Sequence, residues 1–80
     1  MIRLTAHAEE MAEERRISMA WIEAAVTTPD WTAPNPRDPS LTRSFRAIPE
    51  RDGRVLRVVH RPDGHDILVV TVHFDRGARR

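Results

Sequence analysis

Thirteen arginines and four histidines, with no lysine and no cysteine, make up the chemical equipment of this 80-residue chain. The histidines are His7, His60, His65 and His73. Their spacing matches no zinc pattern, and the chain has no His-Glu-x-x-His, glycine-rich phosphate loop, serine elbow or Cys–His pair. No metal and no cofactor is therefore expected. Arginine and histidine together suit phosphate chemistry. A guanidinium grips a phosphate with two hydrogen bonds and stays charged at any relevant pH. An imidazole beside arginines has a lowered proton affinity and so can act as a base near neutrality. His73, at the end of the last strand expected below, meets that description. His7 opens the first expected helix, where the helix dipole also disfavours the imidazolium. His65 falls in a turn, and His60 reads as a packed, half-buried histidine.

The charge is unevenly placed. Residues 1–40 carry four Arg against seven Asp and Glu, and residues 41–80 carry nine Arg against five Asp and Glu, so the net +1 joins an acidic half of −3 to a basic half of +4. An arginine-bearing sheet backed by acidic helices would suit a polyanion, with RNA as the first candidate. Eighty residues allow one modest core. The lack of cysteine suits a reducing cytoplasm, no apolar run approaches the roughly 18–20 residues of a membrane span, and the N-terminus lacks the apolar stretch of a signal peptide.

These side chains need elements to position them, and the fold class expected is α+β. Residues 1–27 read as two helices. Thr5 is an N-cap signal for a helix over His7–Arg16, with acidic residues early and basic ones late. Ser18 caps a second helix from Met19 to about Thr27, on which Trp21, Ile22, Ala25 and Val26 form an apolar face. Residues 28–40, with Pro29, Pro34, Pro36 and Pro39, form a connection that Trp31 anchors on the core. Residues 41–74 predict a three-stranded, or four-stranded, antiparallel meander: Leu41–Ile48, Arg54–Arg61 and Ile67–Phe74, separated by Asp-Gly turns. A basic tail spans residues 75–80, and the whole is a single domain over 1–80.

If the hairpins close directly on those turns, Arg46 faces Arg57 and Arg57 faces Thr71. Alternation then puts Leu41, Phe45, Ala47, Leu56, Val58, Leu68, Val70, Val72 and Phe74 under the helices. Thr42, Ser44, Arg46, Val55, Arg57, Val59, Arg61, Val69, Thr71 and His73 share the other face. Arg46 and Arg57 would repel unless a strand shifts register or an anion intervenes, and a one-residue slip would flip one strand's side chains.

The stretches Thr5-Ala6-His7-Ala8 and Met11-Ala12-Glu13-Glu14-Arg15-Arg16-Ile17-Ser18 resemble the His-Ala-x-x-Arg-Met-x-Glu-Arg-Gly-Ile-Ser opening of a family of small bacterial domains. Later echoes are Ile22-Glu23-Ala24-Ala25, Pro29-Asp30-Trp31, Gly53–Val59 and Val70-Thr71-Val72. That family looks related to the RelE/ParE-like toxins of toxin–antitoxin systems. The resemblance implies two N-terminal helices on a small antiparallel sheet. It also implies either cleavage of messenger RNA without a metal, often on the ribosome, or action on DNA gyrase, with an antitoxin protein as partner. His7, Glu14 and Arg15 match the motif, whereas Met11 and Arg16 stand where the family has arginine and glycine.

The leading expectation is a metal-independent, toxin-type endoribonuclease. Its catalytic residues would be His7, Arg46, Arg57 and His73, with Arg61, Arg76, Arg79 and Arg80 binding the nucleic acid. The alternative is a non-enzymatic module that binds a protein or nucleic acid on the same scaffold.

Overall fold

The computed structural model describes residues 1–79. A short strand, β1 (Ile2–Leu4), leads into α1 (Ala6–Arg15) and α2 (Met19–Thr27). Four more strands follow: β2 (Trp31–Pro34), β3 (Thr42–Ile48), β4 (Arg54–Asp63) and β5 (Asp66–Phe74), with a single 3₁₀ turn, Pro49–Arg51, between β3 and β4. The α+β expectation holds, but the sheet has five strands in the order β1-β5-β4-β3-β2, and β1 runs parallel to β5. No helix among the described residues is long and apolar enough to cross a membrane.

Local chemistry accounts for the helix ends. Thr5 Oγ1 accepts the Ala8 N–H at 3.1 Å and donates to the Val70 carbonyl, while the Thr5 N–H reaches the Val69 carbonyl. One residue thus ends β1, caps α1 and ties both to β5. The helix closes at Arg16, in the left-handed conformation (φ 54°), with the Arg16 and Ile17 N–H groups returning to Glu13 and Ala12. Glycine is the usual residue at such a C-terminal turn. The Arg51 guanidinium covers what this closure leaves open, donating to the Arg15 and Arg16 carbonyls at 3.0 and 2.9 Å. Ser18 caps α2 through the Trp21 N–H.

The core lies between α2 and the sheet, with α1 packed along β5. Ile22 and Ala25 meet Ile48, Leu56, Val58, Val69 and Val72, all nearly inaccessible. Fully burying each of the Val, Leu and Ile side chains contributes about 1.5–3 kcal/mol.

Register corrects the expected faces. Phe45, not Arg46, stands opposite Arg57, because the five residues between Ile48 and Arg54 close the hairpin one residue away from the direct pairing. That slip turns Ser44, Arg46 and Ile48 toward the helices and Arg43, Phe45 and Ala47 away from them. In the second hairpin Arg57 faces His73, not Thr71, because the turn pairs Asp63 with Asp66, one step from the direct pairing, and a bulge at Val59/His60 adds a second step by leaving Val70 without an opposite residue. The shift at Arg57 is even, so His73 keeps its expected face. Val69, on the far side of the bulge, joins the core instead. The connection expected at 28–40 contains β2, whose Pro34 is tolerated because this is an edge strand. Trp31 anchors it by stacking on Phe45, with ring centroids 4.7 Å apart and planes 8° from parallel, on the face away from the helices.

Candidate functional site

Among the described residues no helix covers the second face of the sheet. It presents Trp31 from β2, Arg43, Phe45 and Ala47 from β3, Val55, Arg57 and Val59 from β4, and Thr71 and His73 from β5. Phe45 and Val59 are 6% and 4% exposed, so their neighbours seal the floor and polar groups stand above it.

Arg57 is the centre of this face. Its Nη1 donates to Asp75 Oδ2 at 2.9 Å, its Nη2 donates to His73 Nε2, and its buried Nε has no partner among the described residues. Burial lowers its proton affinity, as does Arg43 close by, and Asp75 offsets part of this. Arginine nevertheless stays charged. Arg43 is turned by Asn35, whose Oδ1 accepts from Arg43 Nε at 3.0 Å.

His73 is held below the ordinary imidazole value of 6.5, first by burial and then by Arg57, with Arg15 and Arg43 acting in the same direction and Asp75 opposing. It is therefore neutral at pH 7. A guanidinium can only donate, so His73 Nε2 is the acceptor and Nδ1 carries the proton. The lone pair needed for general-base chemistry is thus occupied by Arg57. An anion that drew Arg57 away would release it.

The other expected site residues lie elsewhere. Arg46, on the helix side, donates to the Thr28 carbonyl at 2.6 Å and so closes the C-terminus of α2. His7 is exposed in the first turn of α1, about 12 Å along the helix axis from Arg15. Arg61 shares the opposite end of the sheet with Arg3, Asp63, Asp66 and the Met1 amine, an ion-pair network that fastens β1 to the β4–β5 hairpin. Arg76 and Arg79 are exposed beyond β5; Arg80 lies outside the described residues. His60 is on the helix side, with Nε2 2.7 Å from the Oγ of buried Ser44 and its proton affinity lowered by burial.

Sequence reasoning missed Arg43 and Asp75. Asp75 lies two residues beyond His73, the spacing of same-face neighbours in a strand, so extending the alternation by one step would have found it. Arg43 was hidden by the β3 register. No group of three potential metal-ligating side chains gathers among the described residues.

The comparison that places the chain is a match over residues 4–74 to the model of a domain of unknown function, DUF4258. The chain belongs to the DUF4258 family. The match runs from the last residue of β1 to the last residue of β5, so this DUF4258 domain includes both helices and the whole Arg57–His73 pair. No curated protein and no solved structure matches the chain.

Proposed function

We propose that this domain is a metal-independent endoribonuclease of toxin type whose site is the open sheet face. The observation that supports the reading best is the placement of Arg57 between a neutral imidazole and a carboxylate, with Arg43 nearby, on a face that no helix covers. An RNA phosphate competes for Arg57 and leaves His73 Nε2 free. The 2′-hydroxyl proton then passes to Nε2, the 2′-oxygen bonds to phosphorus, and the bond to the 5′-oxygen breaks, that oxygen taking a proton from water. Arg57 and Arg43 stabilise the charge that builds on the phosphate. The opening stretch resembles a family that looks related to RelE/ParE-like toxins, which fits an antitoxin protein as partner and either messenger RNA on the ribosome, in the cytoplasm, or DNA gyrase as target; the Arg57–His73 geometry favours the RNA.

A second reading, a binding module without catalysis, is favoured by one specific feature: His73 is the only histidine at the arginine cluster, and its lone pair is engaged in the resting state. Induction in a bacterial host, with mapping of new RNA 5′ ends, separates the two. The nuclease reading expects growth arrest and discrete new ends that vanish in Arg57→Ala and His73→Ala. Normal growth and no new ends, with soluble folded protein confirmed, overturns it.

A further inference from the structure

At the end of the sheet nearest Asp75, the chain forms a recess of about 410 Å³. It lies between the β3–β4 turn (Asp52, Gly53), the start of β4 (Arg54, Val55) and the segment that follows β5 (Asp75, Arg76). Its walls are ordered by hydrogen bonds: the Asp75 N–H donates to the Val55 carbonyl and the Gly77 N–H to Asp75 Oδ1, both at 2.9 Å. Two guanidinium groups line it. That of Arg54 lies over the Phe74 ring, 4.8 Å from the centroid, a contact that uses the charge and none of the hydrogen-bond donors. Arg76 faces it from the other wall. Among the described residues neither arginine is ion-paired, whereas the carboxylate of Asp75 is committed to Arg57 and Gly77. Arg51, the third arginine near Phe74, is spent on the end of α1. The recess therefore holds two unpaired cations against the single uncommitted carboxylate of Asp52.

We propose that this recess is a phosphate subsite in which Arg54 and Arg76 hold a backbone phosphate further along the strand than the one at Arg57. The assignment of that phosphate to RNA rests on the nuclease reading; the phosphate chemistry does not. Asp75 forms the boundary between the two places, contacting Arg57 on one side and lining the recess on the other. Arg54 and Arg57 are three residues apart on β4, about 10 Å along the strand, and alternation puts Arg54 on the helix side, over Phe74, while Arg57 stands on the open face. A strand of nucleic acid leaving Arg57 at this end passes round Asp75 onto Arg54.

Two titrations of the intact domain test this. Pyrophosphate, followed by amide chemical shifts, should move Gly53, Arg54, Asp75 and Gly77, and Arg54→Gln with Arg76→Gln should abolish those movements while the rest of the spectrum stays folded. A single-stranded RNA oligonucleotide, followed over a range of salt concentrations, should lose about 0.7 from its log–log salt slope when one phosphate contact is removed. Arg54→Lys should retain most of the slope. No pyrophosphate response at Gly53 and Arg54 overturns the subsite even if RNA binds. An unchanged salt slope in the double variant overturns its use by RNA. A pyrophosphate response without RNA binding supports the subsite and removes the nuclease reading instead.

Discussion

Replacing Asp75 by Asn should weaken the fold while strengthening its grip on a polyanion. Oδ1 accepts the Gly77 N–H and Oδ2 accepts Arg57 Nη1, both at 2.9 Å. Asparagine keeps the first acceptor but turns an amide NH₂ toward a guanidinium that can only donate. Both side chains are about one-fifth exposed, at 18% and 21%, so the pair is neither a solvated surface contact nor fully desolvated. A charge-assisted hydrogen bond in that setting contributes about 2 kcal/mol net. For a domain of this size that corresponds to a fall in Tm of roughly 8–16 °C. Thermal and urea unfolding at pH 7.5 measure it, and a cycle with Arg57→Met isolates the pairwise part. The same change removes the counter-charge from Arg57, so single-stranded RNA should bind more tightly at low salt even as the fold loosens. A loss below about 0.5 kcal/mol, the range of exposed pairs, would refute the claim that Asp75 is what holds Arg57. Weaker RNA binding by a folded variant would refute the claim that Arg57 is the anion contact.

Three other outcomes follow from the geometry. His60 and His73 are held below 6.5 in the folded state, so the unfolded chain takes up protons first; stability should be full above pH 6.5 and decline as the pH falls through and below that value, and the decline should shrink in His60→Gln and His73→Gln during urea titrations. Arg16→Gly, which relieves a left-handed residue, should stabilise the domain by about 0.5–1 kcal/mol in the same assay, the upper part of that range requiring that the Arg51 bond to the backbone persists. Arg46→Ala should cost about 1–2 kcal/mol by uncovering the Thr28 carbonyl, yet leave RNA binding by the remaining folded protein unchanged, which salt-dependent anisotropy checks.

Much of the fold is local and therefore legible. Thr5 and Ser18 announce the two helices, and Asp52-Gly53 and Asp63-Gly64 announce the two hairpins, because caps and turns are decided by neighbours in the chain. β1 is three residues long and pairs with a strand more than sixty residues away, so no local signal marks it. β2 is disguised by Pro34, which reads as a strand breaker until the strand is known to be an edge. The site depends on parity. Arg57 and His73 keep their expected face because the β4–β5 turn and the bulge at Val70 each shift their pairing by one, which makes an even number. Arg46 changes face because the first hairpin slips by an odd one. Side-chain alternation carries across a turn only when the number of residues in that turn is known, and Pro49–Gly53 forms a longer closure than the Asp-Gly signal alone suggests.

The joint at Thr5 also bears on how the chain is born. Its hydroxyl meets the Val70 carbonyl across 65 residues of sequence, so the first strand waits for the last before it has a neighbour. Closing so long a loop carries an entropic cost, so β1 should join the sheet late in folding. During synthesis the helices emerge first; α2 is covered as β3 and β4 follow, whereas α1 waits for β5. His73 and Asp75 are themselves made at that late stage. The arginine face thus comes into existence only once the nascent chain has passed residue 75, and any activity it has is withheld from partly made copies by topology alone.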